Sequence, residues 1–125
     1  MALQALLVED SKTQAAQIKA ILESVGLHVQ VVHDGPDGLQ AAVQQQPALV
    51  VLDVKLPSMD GYQVCRRLKR NPATKDIPVI MLTDKTGPKS TMSGLRAGAD
   101  DYIPKDVFAS EHLVATLRDL GLLDR

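Results

Sequence analysis

Five strand-length apolar runs recur along this chain: Leu3 to Val8, His28 to Val32, Ala48 to Leu52, Pro78 to Leu82 and a weaker one at Tyr102 to Ile103. Leu49-Val50-Val51-Leu52 and Val79-Ile80-Met81-Leu82 do not alternate with polar residues, which marks strands covered on both faces, as in a parallel sheet. Such a sheet demands helices on each side. The intervening segments supply them: Ser11 to Val25, Pro36 to Gln46, Asp60 to Lys69, Pro88 to Ala97 and Ser110 to Leu120 have helical spacing. Gly26, Gly98 and Gly121 suit C-terminal stops, and Ser11 with Gln14 resembles a capping box. The order is five βα units, and the expectation is one doubly wound α/β domain over residues 1–125.

The chain has 125 residues, 45% of them apolar and 23% charged, enough to bury a core and too ordered a composition for a disordered chain. With two Tyr, one Phe and no Trp, aliphatic side chains must fill that core. Fourteen basic against fifteen acidic residues give a net charge of -1, without the basic excess that collects nucleic-acid phosphates. A single cysteine, Cys65, cannot form an internal disulfide. No charged segment leading into an apolar one opens the chain, and no apolar run approaches the roughly 20 residues that cross a bilayer. The expectation is a soluble, cytoplasmic chain without membrane or direct nucleic-acid contact.

In open parallel sheets, sites form beyond the carboxyl ends of the strands, where strand order reverses. There the first strand runs into Glu9-Asp10, the third into Asp53, the fourth into Thr83 and the fifth into Lys105. Each alone reads as a helix cap or strand-end hydroxyl. Together they place three carboxylates on one edge, where mutual repulsion calls for a cation. A hard divalent metal such as Mg²⁺ answers that need, because it takes one or two carboxylates and leaves room for waters and a phosphate oxygen.

Glu9-Asp10, the stretch Asp53-Val54-Lys55-Leu56-Pro57-Ser58-Met59-Asp60-Gly61, Thr83, Gly98-Ala99-Asp100-Asp101-Tyr102 and Tyr102-Ile103-Pro104-Lys105 resemble, in order, the motifs of the response-regulator receiver family. The resemblance covers essentially the whole chain. It implies a flavodoxin-like three-layer sandwich with strand order 2-1-3-4-5. It implies Asp53 as the residue that takes a phosphoryl group, with Mg²⁺ held by Asp10, Asp53 and the carbonyl of Lys55, and by Glu9 mainly through water. Thr83 and Lys105 would contact phosphoryl oxygens, and Thr83 drawn toward them would empty space into which Tyr102 turns. The implied partners are a sensor histidine kinase or histidine phosphotransfer protein, and a downstream protein met through the fourth helix, fifth strand and fifth helix. The implied role is a phosphorylation-dependent switch of two-component signalling, not a turnover enzyme. A stand-alone regulator is expected, although a piece of a larger protein would have the same sequence.

Two positions depart from the family pattern. Asp106, not proline, follows Lys105, so a trans Lys105–Asp106 bond is expected, and Asp84 stands where a small residue is usual after Thr83. These departures keep a second reading open, a receiver-like interaction module that is never phosphorylated. A third, a phosphatase of haloacid-dehalogenase type, would carry Asp-x-Asp, whereas Lys55 occupies the second position after Asp53. His28, His33 and His112 lack metal-ligand spacing and read as surface or boundary residues. Cys65 shares a face with Val64 and Leu68 and reads as a buried thiol. Arg66, Arg67, Lys69 and Arg70 read as a solvated helix end placed favourably against the dipole.

Overall fold

The computed structural model describes residues 2–123. Five strands alternate with five helices: β1 Gln4–Val8, α1 Lys12–Ser24, β2 His28–Val32, α2 Gly35–Gln45, β3 Leu49–Leu52, α3 Gly61–Arg70, β4 Val79–Thr83, α4 Pro88–Arg96, β5 Asp101–Pro104 and α5 Ala109–Asp119. All strand pairs are parallel, and the sheet order is β2-β1-β3-β4-β5. The expected strand order and element sequence are both present.

Because successive side chains of a strand point to opposite faces, each buried strand feeds two cores. Leu6, Val8, Val50, Leu52, Val79, Met81 and Tyr102 pack with Ala41, Val64, Cys65, Leu68 and Ala97 of α2, α3 and the end of α4. Ala5, Leu7, Leu49, Val51, Ile80, Leu82 and Ile103 pack on the other face with Ile18, Leu22, Leu113 and Leu117 of α1 and α5. β3 and β4 are buried at every position, which is why their runs never alternate. β2 is an edge strand, and its half-exposed residues match its more mixed sequence, His-Val-Gln-Val-Val.

Helix starts differ from expectation in one instructive place. Ser11 does cap α1, its hydroxyl accepting the Gln14 N–H at 3.2 Å, but its own N–H donates to the Glu9 carboxylate at 3.1 Å. The Gln14 side chain has turned instead to Lys105. The reciprocal capping box lies at α3, where Asp60 accepts from Gln63 N–H at 2.9 Å and the Gln63 side chain accepts from Asp60 N–H at 3.2 Å. Gly61 follows that cap for a steric reason, since a Cβ there would lie 2.0 Å from the Asp53 carbonyl oxygen. Its N–H donates to the Val54 carbonyl at 2.8 Å, so the start of α3 rests directly on the end of β3.

Candidate functional site

Each residue singled out at a strand end stands where the topology puts it, on the carboxyl edge of β1, β3, β4 and β5. β1 and β3 are neighbours whose onward connections leave in opposite directions, which makes the gap between them the switch point of the sheet. Glu9 and Asp53 leave these two strands with only 2% and 7% of their surface exposed. Lys105, arriving from the far end of β5, bridges them: its Nζ donates to Glu9 Oε1 at 2.6 Å and to Asp53 Oδ2 at 2.7 Å. Its third donor goes to Gln14 Oε1 on α1. All three N–H bonds of the ammonium are thereby occupied.

Burial acts to lower the Lys105 pKa, but the hydrogen-bonded carboxylates of Asp53 and Glu9 outweigh it and raise it above the ordinary lysine value. The other oxygen of Asp53, Oδ1, accepts the Val54 N–H at 2.6 Å and, more weakly, the Lys55 N–H at 3.4 Å. The carboxylate is thus fixed at both oxygens by the loop it begins. Glu9 is fixed too: its second oxygen takes the Ser11 N–H, and its carbonyl meets His33 Nδ1 at 2.9 Å.

Asp10 is exposed and so is the Lys55 residue. Among the described residues no group of three His, Cys, Asp or Glu is gathered as a preformed metal site. The donor chemistry nonetheless suits a hard cation. Two buried carboxylates share one positive charge, the donors are all oxygen, and Asp10 and the Lys55 carbonyl adjoin the pair in the chain.

Thr83 is fully buried, and its hydroxyl accepts the Lys85 N–H at 3.1 Å. Tyr102 lies inside rather than on the surface, with its hydroxyl donating to the Lys85 carbonyl at 2.6 Å. The backbone of Lys85 is therefore a shared partner of both residues. Burial, then the Tyr62 hydroxyl and the Asp53 charge, push the Tyr102 phenol well above its usual pKa and keep it neutral.

Two contributors escaped the sequence reading. Gln14 has a sufficient local explanation in capping, and only the approach of β5 to α1 gives it Lys105. Tyr62, on α3, meets Tyr102 hydroxyl to hydroxyl at 3.2 Å and donates to the Ser90 carbonyl at 3.1 Å. No charge or spacing marked it. Asp84 and Asp106, the two departures, are both exposed and line a cavity of about 320 Å³ that also touches Gln14 and Lys105. The Lys105–Asp106 bond is trans, as expected without proline.

The remaining residues behave structurally. His28, His33 and His112 are exposed. Cys65 is buried, and burial raises its pKa from 9.0 to about 11, with Lys69 opposing and Asp100 assisting. Arg66, Arg67 and Arg70 are exposed, whereas Lys69 turns back to donate to the Ile77 carbonyl at 2.8 Å and to Asp100 at 3.1 Å. Among the described residues no helix is long and apolar enough to cross a membrane.

Residues 5–118 match the family model of the response regulator receiver domain. The chain belongs to that family. It is similar to the DNA-binding dual master transcriptional regulator RpaA of Synechocystis, with 41% identity over 115 residues, covering 92% of this chain and 47% of that regulator. The chain spans about half the length of the curated relatives it matches. Among solved structures it resembles the signal receiver domain of a signal transduction histidine kinase from Syntrophus aciditrophicus, with a TM-score of 0.86 and 39% identity, covering 95% of this chain and 89% of that one. It also resembles the receiver domain of a sensor histidine kinase from Pseudomonas aeruginosa, described with a magnesium ion coordinated in the active site cleft. There the TM-score is 0.86 with 30% identity, over 97% of this chain and 99% of that one. As a receiver domain the chain is a signalling module of two-component systems.

Proposed function

We propose that this receiver domain accepts a phosphoryl group on Asp53 from a histidine kinase or histidine phosphotransfer protein. The observation that carries this reading is the convergence of the Glu9 and Asp53 carboxylates on the Lys105 ammonium at 2.6 and 2.7 Å. A carboxylate oxygen of Asp53 attacks phosphorus, the bond to the leaving group breaks, and an aspartyl phosphate forms. Phosphoryl transfer needs positioning and charge neutralisation more than it needs an acid or base. Lys105 is placed for the second task, because it already contacts the oxygen pair that the incoming charge would adjoin.

Glu9, Asp10, Asp53 and the Lys55 carbonyl are the residues that would hold Mg²⁺, which would neutralise charge on the transferred group. Thr83 would turn its hydroxyl to a phosphoryl oxygen. In doing so it releases the Lys85 N–H, and the Lys85 carbonyl is where Tyr102 hangs. Chemistry at Asp53 would reach Tyr102 through the backbone of one residue, Lys85. From there the surface of α4, β5 and α5 would change its affinity for a protein partner.

The test is intact-mass measurement after incubation with acetyl phosphate and Mg²⁺. The wild type should gain one phosphoryl group and Asp53→Asn none. Persistent labelling of Asp53→Asn removes the assignment. No labelling of the wild type at saturating donor favours an interaction module that is not phosphorylated.

A further inference from the structure

Tyr102 is held inside the molecule at both its ring and its hydroxyl. Its ring lies against α4 at Gly94, where a Cβ would come within 2.4 Å of Tyr102 Cδ1, 2.7 Å of Cε1 and 3.2 Å of Met81 Sδ. Any side chain at position 94 therefore meets the ring itself and, next to it, the Sδ of Met81, which is fully buried and pairs with Tyr102 across β4 and β5. Gly94 is mid-helix in α4 with ordinary helical backbone, so no left-handed geometry calls for glycine. A glycine inside a helix is unfavourable relative to alanine, and what occupies the volume its side chain would take is the Tyr102 ring.

The hydroxyl end is held separately. Three contacts meet there: Tyr102 to the Lys85 carbonyl at 2.6 Å, Tyr62 to the Ser90 carbonyl at 3.1 Å, and the two hydroxyls to each other at 3.2 Å. Two hydroxyls bring only two protons. The shortest contact takes the Tyr102 proton, leaving the Tyr62 proton shared between Ser90 and the Tyr102 oxygen. Tyr62 thus ties α3 both to the first turn of α4 and to the phenol of Tyr102, at a point where α4 has no side-chain cap of its own.

We propose that Tyr62 and Gly94 are positioning residues that set the inward seat of Tyr102, the first by latching its hydroxyl and the second by leaving room for its ring. This deepens the reading of Tyr102 as the switch residue and rests on it for its signalling meaning. The seat itself is testable without any phosphodonor.

The chain contains two tyrosines and no tryptophan, so protein labelled with 3-fluorotyrosine gives two fluorine resonances. Tyr62→Phe leaves Tyr102 alone and assigns it. In metal-free buffer the wild-type Tyr102 resonance should be protected from a soluble paramagnetic quencher. Gly94→Ala should raise its quenched fraction by roughly five- to a hundredfold, the range expected for an overpacked contact. Tyr62→Phe should raise it by about fivefold, as for one lost hydrogen bond. Equal protection in wild type and both variants overturns the proposal. If Gly94→Ala fails to fold, it is placed in a Tyr102→Ala background: recovered folding supports the seat, and unrecovered folding overturns it. Adding acetyl phosphate and Mg²⁺ separates the two readings. A Tyr102 resonance that responds to the variants but not to confirmed Asp53 labelling leaves the seat standing and sinks the switch.

Discussion

Lys105 and Tyr102 lie three residues apart on the same strand end, yet they belong to two differently built regions. On the α1 side, Lys105 is held by two buried carboxylates and an amide oxygen. On the α3 and α4 side, Tyr102 is held by neutral hydroxyls, a peptide carbonyl and the room left by a missing Cβ. The first region draws on Coulomb attraction in a poorly solvated setting, where each contact is strong and losing a partner is costly. The second spreads two protons over three contacts and depends on fit. A switch needs both kinds: a rigid place for chemistry and a weakly held element that chemistry can move.

That contrast can be tested first by emptying the charged side. Lys105→Met removes the cation shared by Glu9 and Asp53 and leaves two buried carboxylates without it. The expected loss is about 3 to 5 kcal/mol in urea unfolding at pH 7 in metal-free buffer. A loss below 1 kcal/mol would show that the pair is solvated and that the two regions do not differ as described. A smaller effect follows from introducing charge into the neutral side by titration. Cys65 ionises near 11 in the fold against 9.0 unfolded, so the native state keeps its proton longer. Its contribution is fully present below pH 9 and is lost as pH rises through 11. The stability difference between wild type and Cys65→Ala should therefore fall by on the order of 2 kcal/mol from pH 8 to above pH 11. A flat difference across that range would contradict the burial of the Cys65 thiol. The smallest effect is expected at Lys55, whose exposed side chain would shield Asp53 from water once it is phosphorylated as proposed. Lys55→Asn should shorten the phosphoprotein lifetime by up to about fivefold, an exposed contact contributing about 1 kcal/mol or less. Decay followed after donor removal, at fixed Mg²⁺ and pH, checks this, and an unchanged lifetime removes the shielding role.

The same contrast explains what could be read from the chain before its structure was known. Strand runs such as Leu49 to Leu52 announce themselves because burial on both faces forces continuous apolarity. Glu9, Asp53 and Lys105 announce themselves because a charge directly after such a run has few structural reasons to be there. Gln14 did not, since a glutamine three residues after a serine has a sufficient local explanation in capping, and its real partner lies 91 residues away. Tyr62 and Gly94 were silent for another reason. A tyrosine on an amphipathic helix and a glycine before Leu95 carry no period, charge or turn signal, and their meaning exists only where α3, α4 and β5 converge. Asp10 marks the converse limit: its place beside Glu9 is plain in the chain, while its exposure, against the burial of Glu9, is a matter of three dimensions.

The bond between Glu9 and Lys105 joins residues 96 positions apart, at the ends of strands separated in the sheet by β3 and β4. It cannot close until four strands stand in register, because only then do the two side chains face each other. Closing so long a loop is entropically expensive, and little of that cost is recovered before the intervening strands have formed. Contacts of this kind arise on the native side of the folding barrier, where they slow unfolding and barely alter the rate of folding. The ammonium at the centre of the site is thus also a clasp in time, governing how long the assembled sheet stays closed rather than how quickly it forms.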